Sequence, residues 1–302
     1  MPPLYDLAFG YRSYEEEVDF LLGVHTKYAR TTSSSSVRRP LRLLELAAGP
    51  ARHSLAALSE HPASEVESVL ALDRSHAMVE YGLQNADHEF GVTGGGRRDD
   101  FEYIIGDMRN TADYATTSLF DSAWLLLGSM QHLLTNDDII ACFASLHSVI
   151  YTGGTVVIEL PHPRETFSMG ECTKNGWTVP LIENELDDNE QEKEYGELNI
   201  VWGDEDDEFD PVQQIRHFTV GLELKVTDIS GIPKDDNTAT MFKDNPKLKD
   251  IVPMRLFTLQ EIDALARCAG FELVGKYGAL AEDVSIEDED EAFRMVCVLR
   301  KR

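Results

Sequence analysis

The chain has 302 residues, enough for one large α/β domain with an insertion or for two small domains. Its 54 acids against 27 bases leave a formal net charge of −27, which argues against nucleic acid or an anionic membrane surface as a partner, since both call for a basic face. An apolar share of 42% supplies a sizeable core, no apolar run approaches membrane-spanning length, and the four cysteines (Cys142, Cys172, Cys268 and Cys297) lack metal-ligand spacing and read as reduced thiols.

Residues 4–30 carry an amphipathic helical pattern, with Val18, Leu21, Leu22 and Tyr28 at helical spacing among Glu15, Glu16, Glu17 and Asp19. The leader from Tyr5 to Arg12 is rich in rings, and Thr31–Ser36 is a polar connector. Leu41–Leu44 reads as a buried parallel strand, closed by Glu45. Ala47-Ala48-Gly49-Pro50 then bends the chain, and Ala51 to Leu58 has helical spacing. Strand, tight turn and helix make the first crossover of a nucleotide-binding α/β sheet. Only Gly49 in this turn is glycine, and Pro50 has no N–H, so the turn admits a ligand closely but suits a diphosphate poorly. An acid at the strand end repels phosphate and suits an amine or a sulfonium.

Val66–Asp73 is a second strand ending in an acid, before a helix from Met78 to Ala86. An acid there hydrogen-bonds ribose hydroxyls in dinucleotide folds, and Asp73 and Ser75 also suit a helix N-cap. Residues 87–100 form a surface loop. Phe101–Ile105 is a third strand, followed by Gly106-Asp107-Met108. A fourth strand begins at Phe120, with Asp121 in a structural role, and His132 follows its C-terminal end, where open α/β sheets bind ligands. His132 either faces an acceptor as a base or ties loop to helix. Thr135 to Asp138 opens a helix running to Ile150, and Gly153-Gly154 leads into a fifth strand, Thr155–Leu160. Five strand–helix units in series predict a doubly wound, mostly parallel sheet.

Residues 161–250 break that rhythm. Pro161-His162-Pro163 stops the fifth strand. Glu183 to Asp210 holds fourteen acids against one lysine, a solvated stretch without the punctuation of a Ca²⁺ loop, and no metal site is expected. Leu198–Trp202, Gln214–Val220 and Leu222–Val226 alternate and predict antiparallel strands. This insertion is expected to cover the mouth of the site and read the acceptor; the plainer alternative is a structural appendage or a dimer contact. Beyond it, Thr258 and Glu261 form a capping box for a helix that stops at Gly270, and Phe271–Tyr277 and Phe293–Leu299 are the last strands.

These ordered motifs resemble those of the class I S-adenosylmethionine-dependent methyltransferases over roughly residues 40–160 and 250–302. Glu45, Ala47, Gly49 and Ala51 stand at the acid and the glycine positions of that family's E/D-x-G-x-G-x-G motif, with alanine replacing glycine at Ala47 and Ala51. The resemblance implies a seven-stranded, Rossmann-like sheet with an antiparallel last strand and an inserted antiparallel β cap. It implies S-adenosyl-L-methionine as cofactor, its amino group on Glu45, its ribose on Asp73, and its adenine on Asp107 and Met108. Ala47, Gly49, Arg52, Met78 and Leu127 complete the expected cofactor set. His132 and Tyr11 are the candidate catalytic residues, and Tyr5, Tyr11, Arg216 and Arg255 the candidate acceptor contacts. In such enzymes an N-terminal Tyr-Asp segment, here Tyr5-Asp6, folds over the site as a lid.

The implied division is residues 1–40 as lid and helix, 41–160 as cofactor-binding core, 161–250 as acidic cap and 251–302 as completion of the core. In-line methyl transfer from a sulfonium rests largely on positioning, with a base needed only where the acceptor must lose a proton. The residues leave N, O and S open as the methylated atom. The absence of N-P-P-[YF] and the acidic character favour a small soluble acceptor over nucleic acid. A cytoplasmic monomer or homodimer is expected, since residues 1–6 carry no signal-peptide pattern. Two other classes stand beside this one. A nicotinamide-dependent oxidoreductase is disfavoured by the missing G-x-G-x-x-G, and a non-catalytic binding relative by the retention of Glu45, Asp73 and Asp107.

Overall fold

Apolar residues alternate between the two faces of nearly every central strand, and this sets the layers of the main unit. In β5 (Ile150–Pro161), Val156, Ile158 and Leu160 enter one core while Val157 enters the other. In β12 (Arg294–Lys301), Met295, Cys297 and Leu299 face the first core and Val296 and Val298 the second. A strand buried on both faces in this way belongs to a sheet covered by helices on each side.

The computed structural model describes residues 2–30, 39–91, 96–115, 119–167, 175–182, 194–227 and 247–302. The expected connector at residues 31–36, Cys172 and the first part of the acidic stretch, residues 183–193, lie outside them. The chain divides into two compact units, one of Ser13–Glu165 with Arg255–Arg302, the other of Met1–Arg12 with Thr166–Met254.

The larger unit holds a seven-stranded sheet. Its order is β11 (Phe271–Tyr277), β12, β5, β4 (Phe120–Leu125), β1 (Leu41–Leu46), β2 (Val66–Asp73) and β3 (Phe101–Ile105). The first five strands of the chain run parallel, and β12 is antiparallel to both of its neighbours. On one face lie α2 (Tyr14–Tyr28), α3 (Arg52–Ser59) and α4 (His76–Phe90), contributing Val18, Leu21, Leu55, Leu58, Val79 and Phe90 to the core. On the other lie α6 (Asn136–Val149) and α8 (Leu259–Cys268), with Phe143, Leu146, Ile262 and Leu265. Between α4 and α6 sits the single turn α5 (Thr111–Tyr114), and α7 (Pro163–Thr166) is a single turn after β5.

The predicted caps form. Thr135 Oγ1 accepts the Asp138 N–H at the start of α6. Thr258 and Glu261 make the reciprocal capping box of α8, and Gly270 follows with a left-handed φ of 86°. Asp121 is structural, as its position at the strand entrance suggests: it accepts two hydrogen bonds from the Arg39 guanidinium and one from the Arg42 N–H. Strand order reverses at β1, whose neighbours β2 and β4 are reached by crossovers in opposite directions. In an open α/β sheet the crevice outside the strand tips at this switch point is where ligands bind.

The second unit is an antiparallel sheet of β10 (Lys247–Arg255), β9 (Ile215–Val226), β7 (Glu194–Trp202) and β6 (Asn175–Ile182), with the short β8 (Phe209–Asp210) beside β9. The two runs expected at Gln214–Val220 and Leu222–Val226 are one continuous strand. Two further strands flank them. Both are edges of this sheet, and each contains a proline, Pro180 in β6 and Pro253 in β10, which an edge tolerates because its outer N–H positions have no strand partner. Helix α1 (Pro2–Phe9) belongs to this unit: Leu4 and Ala8 pack with Leu181, Tyr195, Leu198 and Leu224, and the Trp177 indole donates to the Ala8 carbonyl at 2.9 Å. The N-terminal stretch is therefore two helices in two units, parted after Arg12. Among the described residues no helix is long and apolar enough to cross a membrane.

Candidate functional site

The turn after β1 is left-handed at alternate residues. Ala47 has φ 52°, Gly49 54° and Ala51 62°. These are the three positions at which the resembled motif carries glycine, so two alanines occupy backbone that glycine adopts without steric cost.

The turn is held from three sides. The Gly49 N–H donates to Asp73 Oδ2 at 2.9 Å, and the Gly49 carbonyl accepts the buried Tyr103 hydroxyl at 2.6 Å. The Ala48 N–H donates to the Leu72 carbonyl at 3.1 Å, and the Asn85 amide donates to the Pro50 carbonyl at 3.4 Å. Both polar groups of Gly49 are thus fixed by the neighbouring strands β2 and β3. Burial, then the charges of Asp73 and Glu45, push the Tyr103 pKa up, so its hydroxyl stays a donor.

Glu45 turns inward. Its Oε2 accepts the Ser54 N–H at 3.0 Å and the Ser54 hydroxyl, and its Oε1 stands 3.6 Å from His53 Nδ1. The reason is local. Ala51 is the N-cap of α3 and has no side-chain acceptor for the third N–H of the helix, so the carboxylate at the strand end supplies one across the turn. His53 in turn bonds Glu17 of α2 through Nε2 at 2.7 Å.

Asp73 keeps more acceptor capacity. Oδ2 takes Gly49 and Oδ1 takes the Ser75 N–H at 2.7 Å, which leaves lone pairs on both oxygens for a ribose diol. Ser75 rather than Asp73 caps α4, accepting the Met78 N–H at 3.4 Å. Asp107, just beyond β3, is bracketed by Arg109, which donates its backbone N–H at 2.9 Å and Nη2 at 2.6 Å, with Nε between the two oxygens. Those bonds hold the Asp107 carboxyl below its ordinary pKa despite partial burial, and Nη1 of the same arginine reaches Asp138 at 2.7 Å. Met108 packs, partly buried, against the core.

Beyond β4, Leu127 is left-handed at φ 55° and Gly128 at 73°. The Leu127 N–H donates to Glu159 Oε2 at 2.8 Å and the Gly128 N–H to the Glu159 carbonyl at 3.0 Å. His132 ends the short 3₁₀ turn Ser129–His132 with an exposed edge, in surroundings whose desolvation lowers its pKa while the charge of Asp73 opposes the shift.

Glu45, Ala47, Gly49, Arg52, Asp73, Met78, Asp107, Met108, Leu127 and His132 all stand at or just beyond the C-terminal ends of β1 to β4 in the larger unit. Arg255 is in that unit too, but 6% exposed and committed: Nη2 donates to Asn136 Oδ1 at 2.7 Å and to Glu261 of the capping box at 2.5 Å. Tyr5, Tyr11 and Arg216 belong to the antiparallel unit. The Tyr5 ring lies tilted against Phe9, Tyr11 is exposed edge-on to Trp177, and Arg216 is buried with its guanidinium over Phe209 and Phe218. Sequence reasoning passed over Glu17, His53, Tyr103, Arg109 and Glu159. His53, Tyr103, Arg109 and Glu159 each contact a residue it did single out, and Glu17 contacts His53.

No protein-family model matches the sequence, and no curated protein does. Solved structures do match the fold. DesVI of Streptomyces venezuelae is 18% identical, with 99% of this chain and 98% of that one covered and a TM-score of 0.66. An S-adenosylmethionine-dependent methyltransferase of Clostridium acetobutylicum is 11% identical, with coverage of 98% and 95% and a TM-score of 0.64. CalS10 of Micromonospora echinaspora, an amino pentose methyltransferase solved with S-adenosylmethionine bound, is 17% identical, with coverage of 99% and 96% and a TM-score of 0.60. With its β12 reversed between β5 and β11, its switch point at β1 and its antiparallel insertion, the chain has the Rossmann-like fold of the class I S-adenosylmethionine-dependent methyltransferases.

Proposed function

We propose that the chain transfers a methyl group from S-adenosyl-L-methionine to an amine on a small soluble acceptor. The observation that carries the reading is the pinned, left-handed turn at Gly49 beside the Asp73 carboxylate, at the switch point of the sheet. The residues present fit such a donor. The turn carries no side chain larger than a methyl at Ala47 to Gly49, Asp73 has lone pairs to spare for two hydroxyls, and the strand tips carry acids, which suit a cationic ligand. They fit a dinucleotide poorly, because Pro50 has no N–H and the Gly49 N–H is already taken by Asp73.

Bound S-adenosyl-L-methionine supplies a methyl group activated by a sulfonium. The part of this chain is to hold donor and acceptor in line and to take up one proton. Asp73 would hold the ribose, Asp107 and Met108 would take the adenine, and Glu45 shapes the turn through α3. His132, whose neutral form desolvation favours, accepts the proton that an amine loses as its nitrogen gains the methyl group, and passes it to solvent. The amine reading is supported by the net charge of −27, which concentrates cationic solutes, and by the amino pentose acted on by the similar CalS10. Acceptor recognition is proposed for the antiparallel unit, through Tyr5 and the exposed Tyr11; Arg216 is buried and supports that unit's core.

The test has two arms. Calorimetry with S-adenosyl-L-methionine and with NAD separates the donor classes, and failure of the former to bind overturns the reading. Mass spectrometry of amino sugars and other small amines incubated with a deuterated-methyl donor then identifies the acceptor. Donor binding with no product across the panel would make the chain a non-catalytic relative.

A further inference from the structure

His53 is 2% exposed, yet a carboxylate stands on each side of its ring. Nε2 meets Glu17 Oε2 of α2 at 2.7 Å and Nδ1 faces Glu45 Oε1 at 3.6 Å. The Tyr14 ring of α2 closes one face edge-on, 4.9 Å between centroids. Nε2 makes a hydrogen bond and Nδ1 lies at ion-pair distance, and two carboxylates this close to one buried ring favour the imidazolium. Glu45, the far carboxylate, is the group that caps α3 and closes the left-handed turn. The contacts therefore form one line from α2 through His53 and Glu45 to the N-terminus of α3. Neither Glu17 nor His53 is among the residues expected to touch the donor, so their part is distinct from ligand contact.

We propose that Glu17 and His53 are positioning residues for the donor site: α2 sets the rotamer of Glu45 through the His53 imidazolium and so holds the Ala47–Ala51 turn ready for the donor. With Glu17 neutral or absent, the imidazolium loses one acceptor and Glu45 becomes free to leave the Ser54 N–H. The turn then samples other conformations, and donor affinity falls by the fraction of time it is open. Acceptor binding, which does not touch this line, is spared. The proposal rests on the donor reading given above.

The experiment compares the full chain with Glu17→Gln and His53→Asn, and with Glu16→Gln as a control that removes the same charge from an exposed position of the same helix. Imidazole ¹⁵N spectra at pH 7.5 should show both His53 nitrogens protonated in the wild type. Calorimetry should show the Kd for S-adenosyl-L-methionine raised five- to thirty-fold in Glu17→Gln and His53→Asn, and unchanged in Glu16→Gln. Steady-state kinetics should show the loss in KM for the donor, with KM for the acceptor unmoved. A neutral His53 at pH 7.5, or donor affinity within two-fold of wild type in a folded Glu17→Gln protein, overturns the proposal. Absence of donor binding in the wild type instead fails the donor reading, and this inference with it. If His53→Asn does not fold, Glu17→Gln, which keeps the shape of the side chain, decides alone.

Discussion

Asp73 accepts the N–H of Gly49 at 2.9 Å, so the acid at the tip of β2 is part of the turn as well as a candidate ligand for ribose. Replacement by alanine removes both functions. Asp73→Ala should weaken S-adenosyl-L-methionine binding by about 1–3 kcal/mol and lower stability by roughly 1 kcal/mol. Tyr103→Phe separates the two, since the hydroxyl it removes donates to the Gly49 carbonyl: stability should fall by about 1–2 kcal/mol, with donor affinity less affected than in Asp73→Ala. Urea denaturation and calorimetry on the two variants check this, and unchanged donor affinity in Asp73→Ala would remove the ribose role.

The two alanines of the turn predict an order of stability. A left-handed alanine costs about 1–2 kcal/mol relative to glycine, while glycine gives back roughly 0.4–1 kcal/mol through the unfolded chain. Ala47 is half-buried, so Ala47→Gly should be neutral or stabilising by up to about 1 kcal/mol. Ala51 is fully buried, and losing its methyl removes about 0.8 kcal/mol of burial, so Ala51→Gly should sit below Ala47→Gly. The ranking of the urea midpoints is the readout, and the reverse order would mean that strain at residue 51 outweighs packing.

Why the sheet could be read from the chain and the site only in part is visible in particular residues. β1, β4 and β5 are apolar runs closed by small residues or proline, and burial on both faces leaves such runs little choice. The edges β6 and β10 escaped because each holds a proline that reads as a break until its place at an edge is known. Position at a strand tip located Glu45, Asp73 and Asp107 but not the direction of their side chains. That direction was decided by the folded neighbours: Ser54 and His53 across the turn for Glu45, Gly49 in the turn after the adjoining strand for Asp73, and Arg109 two residues on for Asp107. Arg255 illustrates the same limit, since a cation ahead of a capping box is drawn to the glutamate of the box itself.

His53 should make stability depend on pH on the alkaline side. Burial pushes its pKa down, but hydrogen bonds and charge from Glu17 and Glu45 outweigh burial and raise it from 6.5 to about 9. Tyr14 of α2 is the other ring facing it. A folded-state pKa above the unfolded one means that the folded protein holds the proton longer. The contribution is fully present below about pH 6.5 and is lost as pH rises through about 9. At 1.36 kcal/mol for each pH unit, it amounts to roughly 3 kcal/mol. Urea denaturation at pH 6, 7.5 and 9.5 should show a decline in the wild type that His53→Asn flattens. Parallel curves for the two proteins would exclude an imidazolium at this site.

Glu159 controls the other turn of the crevice. Leu127 is held left-handed, a conformation that costs a branched residue on the order of 1–2 kcal/mol, and it is held by one side chain: Glu159 Oε2 takes its N–H at 2.8 Å while Oε1 faces Arg294 Nε at 3.3 Å. Glu159 is 2% exposed, so Glu159→Ala strands the Leu127 N–H and leaves Arg294 without its carboxylate. Removing one partner of a fully buried pair costs about 3–5 kcal/mol; Arg294 keeps some contact with water, so roughly 2–3 kcal/mol is expected here. Glu159→Gln keeps an acceptor for Leu127 and gives up only the charge, which should cost about 1 kcal/mol. Because His132 follows this turn directly, Glu159→Ala should also lower kcat several-fold through misplacement of the base, whereas Glu159→Gln should leave kcat near wild type. Denaturation midpoints and kcat for the two variants decide between the roles. Equal losses in both would assign the work of Glu159 to its pair with Arg294, and a kcat unchanged in Glu159→Ala would detach the Leu127 turn from catalysis.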